Sequence, residues 1–118
     1  MKRVEAIISN EKVLELNEAL KKVGVGGCTI FESRGRGKGA KPVVESSRGT
    51  ARYVSEYSVR ANVLTVIEDS QVEKVVNTIL ATVSTGSAGD GKIFISSVSD
   101  AVDIGTKKHG EAAISSAG

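Results

Sequence analysis

The sequence predicts a small α+β fold in which one antiparallel sheet carries two helices on a single face. Three observations predict it: two segments with helical apolar spacing, strand-like runs on either side of each, and a long glycine-rich connection near the middle. At 118 residues the chain has the length of one domain and buries about two-thirds of the surface that its unfolded form exposes. With no Trp, two Phe and two Tyr, the core must rely on Val, Ile, Leu and Ala. Self-association is a natural way for such a core to bury more apolar area.

Val4, Ala6 and Ile8 alternate with Arg3, Glu5 and Ile7 along a first strand, and Ser9-Asn10 then offers a helix N-cap. Val13, Leu16, Leu20 and Val23 recur at helical spacing with Ala19 on the same face, and Gly24 lies just past the last of them as a C-terminal stop. A second strand runs through Cys28-Thr29-Ile30-Phe31. A third, longer one is expected from about residue 52 to 67, carrying Val54, Val59, Val63, Leu64, Val66 and Ile67. Ser70 stands three residues before Glu73 as a capping box, and Val72, Val75, Val76, Ile79, Leu80 and Val83 supply the face of the second helix, which Gly86 ends. Ile93, Phe94, Ile95 and Val98 make the last strand. The order βαββαβ is the split arrangement of a ferredoxin-like sandwich, with a long loop between strands 2 and 3.

Charge and cysteine content narrow the function classes. A formal charge of +2 requires no nucleic-acid partner, and Cys28, alone in the chain, allows no intramolecular disulfide, so a reducing, cytoplasmic setting and a small core role for this thiol are expected. The apolar run after Met1-Lys2-Arg3 is too short for a signal peptide or a membrane span, and no membrane insertion is expected.

The chemistry is concentrated in Thr85-Gly86-Ser87-Ala88-Gly89-Asp90-Gly91-Lys92-Ile93-Phe94-Ile95. Glycines let backbone N–H groups approach an anion closely, and Lys92 adds a compact positive charge beside them. The same residues also read as a helix end followed by a tight turn, with Gly86 as cap and Asp90-Gly91 as turn residues. A lone glycine-lysine pair does not separate the two readings.

The segment as a whole resembles the TGxxGDGKIF signature of the PII nitrogen-regulatory signal-transduction family, and the resemblance extends along the chain. Met1-Lys2-Arg3-Val4-Glu5-Ala6-Ile7-Ile8 is similar to the family's opening strand, and Glu18-Ala19-Leu20, Gly24 and Thr29 recur at its spacing. Arg48-Gly49 followed by Tyr53-Val54 resembles the far side of the family's T-loop, and Glu111-Ala112-Ala113-Ile114 its closing tail. The resemblance implies one PII-like domain over 1–118, with a T-loop at about 33–51 and a tail at about 103–118. It implies a ferredoxin-like homotrimer that binds ATP, ADP or AMP in clefts between subunits. The nucleotide-binding residues that it implies are Ile7, Thr29, Gly35, Gly37, Lys38, Gly89, Asp90, Gly91 and Lys92. The partners that it implies are an ammonium transporter, which would recruit the protein to the membrane, or a nitrogen-assimilation enzyme such as glutamine synthetase.

Three family features are altered. The arginine pair that follows the signature is replaced by Asp103 and Gly105, and a carboxylate near a phosphate weakens its binding. Lys107 and Lys108 stand close by in sequence. Gly39 occupies the place of a glutamine that helps hold magnesium between ATP and 2-oxoglutarate, and glycine offers no side-chain oxygen to a hard cation. Arg60 retains a basic position that meets the oxo-acid carboxylate, so Gly37, Lys38, Gly39 and Arg60 form the implied 2-oxoglutarate set. Tyr53 is a candidate for covalent modification but stands one residue further on than usual, where it also reads as a packed aromatic at the start of a strand. Ser46, Ser47 and Thr50 are candidate phosphoacceptors, although a hydroxyl in a loop is a weak signal.

The connection over residues 33–51 is too long and too rich in Gly and Pro to be expected to hold regular structure by itself, and such loops are commonly functional. Arg34, Arg36, Lys38 and Lys41 fall within eight residues with no acidic neighbour, and Arg36, Lys41 and Arg48 are the expected partner contacts. A basic loop also suits nucleic acid, the alternative function, although it lacks an aromatic side chain to stack on bases. His109 has no metal-ligand cluster at suitable spacing. No nucleophile-base pair or carboxylate pair is evident, so an enzyme is not expected; a small ferredoxin-like phosphatase would rest on fold analogy alone.

Overall fold

The computed structural model describes residues 1–37, 43–45, 52–54 and 57–115, the two short inner segments by backbone alone. The strands are β1 (Lys2–Ile8), β2 (Thr29–Gly35), β3 (Val43–Glu45), β4 (Arg52–Val54), β5 (Ser58–Ile67) and β6 (Gly91–Ser97). The helices are α1 (Val13–Lys22), α2 (Val72–Val83) and the short α3 (Glu111–Ile114). Strands β2, β5, β1 and β6, in that spatial order, form an antiparallel sheet consistent with the ferredoxin-like expectation.

Alternation along the strands fixes what each sheet face meets. Val4, Ala6 and Ile8 of β1 and Ala61, Val63 and Ile67 of β5 are buried together with Leu16 and Leu20 of α1 and Val75, Ile79 and Val83 of α2. Both helices therefore cover one face. Thr65 is also buried, with its hydroxyl donating to Gly27 O at 2.7 Å. Cys28 is half-buried against this core, in keeping with a packing role.

The first helix ends as its sequence predicts. Gly24, at φ +90°, donates to Lys21 O at 3.1 Å, and Val25 donates to Leu20 O at 3.0 Å and is itself buried. That pair of bonds is a Schellman ending, which needs the left-handed residue that glycine supplies without strain.

Several expectations are corrected. Neither predicted side-chain N-cap forms: each helix is entered through a 3-10 turn, Asn10–Lys12 or Asp69–Gln71. Lys12 N–H bonds to Ser9 O and Gln71 N–H to Glu68 O, so a backbone turn takes the place of Ser9-Asn10 and of the Ser70/Glu73 box. α2 stops at Val83, before Gly86, which adopts φ +87° in the following turn. Leu80 is half exposed because it faces the rim of the sheet instead of its centre.

The expected strand over 52–67 is two strands, β4 and β5. β4 pairs with β3 (Val43↔Val54, Val44↔Tyr53, Glu45↔Arg52), so part of the 33–51 connection holds regular structure after all. The Val-rich and Tyr-Val stretches have the β propensity to pair, which glycine counting overlooks. β2 continues to Gly35, beyond Phe31, because β5 offers it a partner along that whole length. Val98 falls just outside β6, although its N–H still reaches Met1 O at 3.1 Å.

Candidate functional site

The end of β1, the start of β6, the start of β5 and the end of β2 meet at one end of the sheet. Ile8 pairs with both Ala61 and Gly91, Ile7 with both Asn62 and Lys92, and Gly35 with Ser58. Ile7 and Lys92 are thus neighbours on the face opposite the helices, and the turn over residues 85–90 leads directly into this corner.

The turn is organised by Asp90. One carboxylate oxygen accepts from Thr85 N–H at 2.6 Å and Ser87 N–H at 3.2 Å, and the other accepts from the Thr85 hydroxyl. The Thr85 hydroxyl, followed by backbone N–H groups, holds the Asp90 carboxyl below its ordinary range. Asp90 N–H bonds to Ser87 O at 3.2 Å, and Gly89 N–H to Ser87 Oγ at 3.3 Å. The Asp90 side chain therefore faces the turn itself and shapes it.

Gly91 is required by space as well as by conformation. Its φ is +137°, and a Cβ placed on it would lie 2.1 Å from Ile7 O. No side chain fits there. The close approach brings the turn against β1 and lets Lys92 emerge exposed beside Ile7.

Arg60 links the turn to β5: one Nη donates to Gly89 O at 2.9 Å. A polar chain crosses the same sheet face, with the Ser33 hydroxyl donating to Asn62 Oδ1 and Asn62 Nδ2 donating to Glu5 Oε2 at 3.2 Å. The anchoring role of Arg60 and the Ser33–Asn62–Glu5 chain were not anticipated from sequence. The sequence signal for the latter is the polar Asn62 between Ala61 and Val63 in β5.

Ile7, Gly89, Asp90, Gly91, Lys92 and Arg60 gather at this corner, with Gly35 at the same end of the sheet. Thr29 does not. It lies on β2, three strand spacings or about 14 Å from β6. Gly37 and Arg36 follow β2 and are exposed. Lys38, Gly39, Lys41, Ser46, Ser47, Arg48 and Thr50 lie outside the described residues, and Tyr53 is placed only as a backbone position of β4, which replaces its expected place at the start of the long strand.

Beside the corner, a groove of about 470 Å³ runs between α2 and β6, lined by Ile79, Leu80, Val83, Ile93 and Ile95 and opening at Ser87, Asp90 and Lys92.

The tail contains a second self-capped turn. Asp103 Oδ1 accepts from Thr106 N–H at 2.8 Å, which together with further bonds from this turn lowers its carboxyl pKa, and Lys107, at φ +65°, donates its N–H to Asp103 O at 2.8 Å. The Asp103 carboxylate thus serves its own turn. Asp100 closes the base of this hairpin: Oδ2 meets His109 Nδ1 at 2.9 Å, and Oδ1 accepts from Ala101 and Gly110 N–H. Among the described residues no group of His, Cys, Asp or Glu has the arrangement of a metal site, and no helix is long and apolar enough to cross a membrane.

A glycine-rich turn with an exposed lysine at the end of a four-stranded antiparallel sheet, two helices covering its other face, is the architecture of a small binding domain. The family model described as nitrogen regulatory protein P-II matches residues 1–108. A nitrogen regulatory protein P-II of Azospirillum brasilense is 41% identical over 114 residues, which cover 97% of this chain and all of that protein. One from Microchaete diplosiphon is 45% identical over 106 residues, 90% of this chain and 93% of the relative. Nitrogen regulatory protein P-II 2 of Methanothermobacter thermautotrophicus is 40% identical over 114 residues, 97% of each. The chain belongs to the P-II family of nitrogen regulatory proteins, which are signal-transduction regulators and not enzymes.

Proposed function

We propose that the protein senses adenine nucleotide at the 85–92 turn and conveys its occupancy to nitrogen metabolism or ammonium transport through the connection between β2 and β5. The observation that carries this reading is the Gly91 contact: a turn pressed onto β1, possible only with glycine, presents Lys92 beside Ile7 on the sheet face that the helices leave uncovered. Lys92 holds the phosphates, and Asp90 keeps the turn in shape. Lys38 adds a second cation from the loop base, where Gly37 lets the backbone come close.

The contacts implied for the nucleotide divide between β6 and β2, which are opposite edges of the sheet. One copy cannot bring Thr29 to Lys92, whereas a neighbour presenting its β2 edge to β6 does. The uncovered sheet face supports the same assembly. Phe31 and Phe94 are 43% and 53% exposed, with Ile7 and Leu64 between them, and covering such a face drives association. The working form is a cytoplasmic homotrimer with its clefts between subunits. Arg36, Lys41 and Arg48 contact an ammonium transporter, which recruits the protein to the membrane, or glutamine synthetase, and Tyr53 and Ser47 are the positions for covalent control.

Magnesium and 2-oxoglutarate are secondary ligands in this reading, since Gly39 offers no side-chain oxygen and only Arg60 of the implied pair remains. Calorimetric titration with ATP, ADP and AMP, each with and without magnesium and 2-oxoglutarate, tests the reading. Saturable nucleotide binding without hydrolysis supports it. Salt-dependent binding of RNA or DNA in place of nucleotide would favour the basic-loop alternative.

A further inference from the structure

We infer that Arg60 is a positioning residue that couples the glycine-rich turn to the start of β5 and the end of β2, the two strand ends that bracket the long connection. The inference deepens the proposed function and rests on it for the identity of the ligand, but the strut itself is present without ligand.

The turn is bound together mainly by its own bonds: Asp90 ties Thr85 and Ser87, and Ser87 ties Gly89 and Asp90. Such a unit is braced within itself. Arg60 reaches it from another strand, donating an Nη to Gly89 O at 2.9 Å. Arg60 stands two residues into β5, opposite Ser33 of β2, and the next pairs outward are Arg34↔Val59 and Gly35↔Ser58. A displacement of Gly89 is therefore delivered to the last strand pairs before the connection begins.

Chemistry favours Arg for this task. The guanidinium is planar, always charged and rigid at its fork, so an Nη holds a carbonyl in a fixed direction from the strand. Its stem is anchored in a strand, so the geometry survives while the turn adjusts. Coupling of this kind is reciprocal: whatever fixes the strand ends also fixes the turn.

The test uses the full chain, followed by amide NMR during titration with ATP, with Arg60→Ala and Arg60→Lys as variants. In the unaltered protein ATP shifts the amides of residues 86–92 and, with the same midpoint, those of Gly35, Ser58 and Arg60. In Arg60→Ala the turn still responds, with affinity within roughly threefold, while the responses of Gly35 and Ser58 disappear, and Arg60→Lys restores them in part. Retained responses at Gly35 and Ser58 in Arg60→Ala would overturn the inference. So would a loss of turn response and affinity together, which would make Arg60 a ligand contact. If ATP moves nothing even in the unaltered protein, the proposed ligand fails, and hydrogen exchange without ligand decides the strut. Arg60→Ala then speeds exchange at residues 86–90 and 58–60 together by roughly tenfold, the worth of one charge-assisted bond. A change confined to residue 60 would overturn it.

Discussion

Gly91 and Lys92 are adjacent and have opposite requirements. Gly91 has no room for a methyl group, because a Cβ would stand 2.1 Å from the Ile7 carbonyl oxygen, and its φ of +137° is one that L side chains rarely adopt. Gly91→Ala is expected to cost about 2–4 kcal/mol of stability, read as a fall in the urea midpoint. Lys92 is exposed and carries no such packing duty. Lys92→Ala should leave the midpoint unchanged and weaken ATP binding roughly ten- to a hundredfold in calorimetry, the worth of about 1.5–3 kcal/mol for a charged hydrogen bond. Equal affinity would move the anion elsewhere and leave 85–92 as a structural turn.

At the scale of elements, the turn and the tail hairpin share one device, an aspartate that accepts backbone N–H bonds in its own loop. Asp90 is held below its ordinary pKa first by the Thr85 hydroxyl, and Asp100 first by His109. A carboxyl whose folded value is depressed stabilises the fold above its unfolded value, near 3.8, and that contribution is lost as pH falls through the folded value. The Thr85 and Ser87 amide shifts should therefore stay constant from neutral pH down to the ordinary carboxylate range and change only below it. Asp90→Asn, which keeps an acceptor but loses the charge, should remove that acid transition and speed Thr85 amide exchange. An unchanged transition in Asp90→Asn would assign it to another carboxylate.

At the scale of the molecule, the sheet has one face under helices and one bearing Phe31, Phe94, Ile7 and Leu64. Sedimentation at micromolar concentration should give about three times the 12.3 kDa of one chain. Phe94→Glu should shift it toward monomer while keeping the helical circular dichroism, because residue 94 lies on the face away from the helical core. A monomer for the unaltered chain would remove the cleft between subunits, and with it the route by which Thr29 meets Lys92.

The two helices and their apolar faces, the Gly24 stop and the family were legible in the sequence, because each is written in local periodicity or in a contiguous motif; the β3–β4 pair and the short α3 were not. Val75 and Ile79 could be assigned to the core from spacing alone, and both are buried. Tertiary structure alone decided the rest. The Ser70/Glu73 box looked sufficient as a cap, yet a backbone 3-10 turn met the same need. The bond of Arg60 to Gly89 O joins residues twenty-nine positions apart, and no periodicity encodes a bond of that separation. The Asp103 side chain closes its own turn, a bond that the sequence pattern did not mark. That Thr29 and Lys92 stand on opposite edges of the sheet is set by the strand order, which no local pattern shows. Local pattern fixes which way a residue faces within its element; which strand becomes its neighbour is settled only when the whole sheet closes over one core.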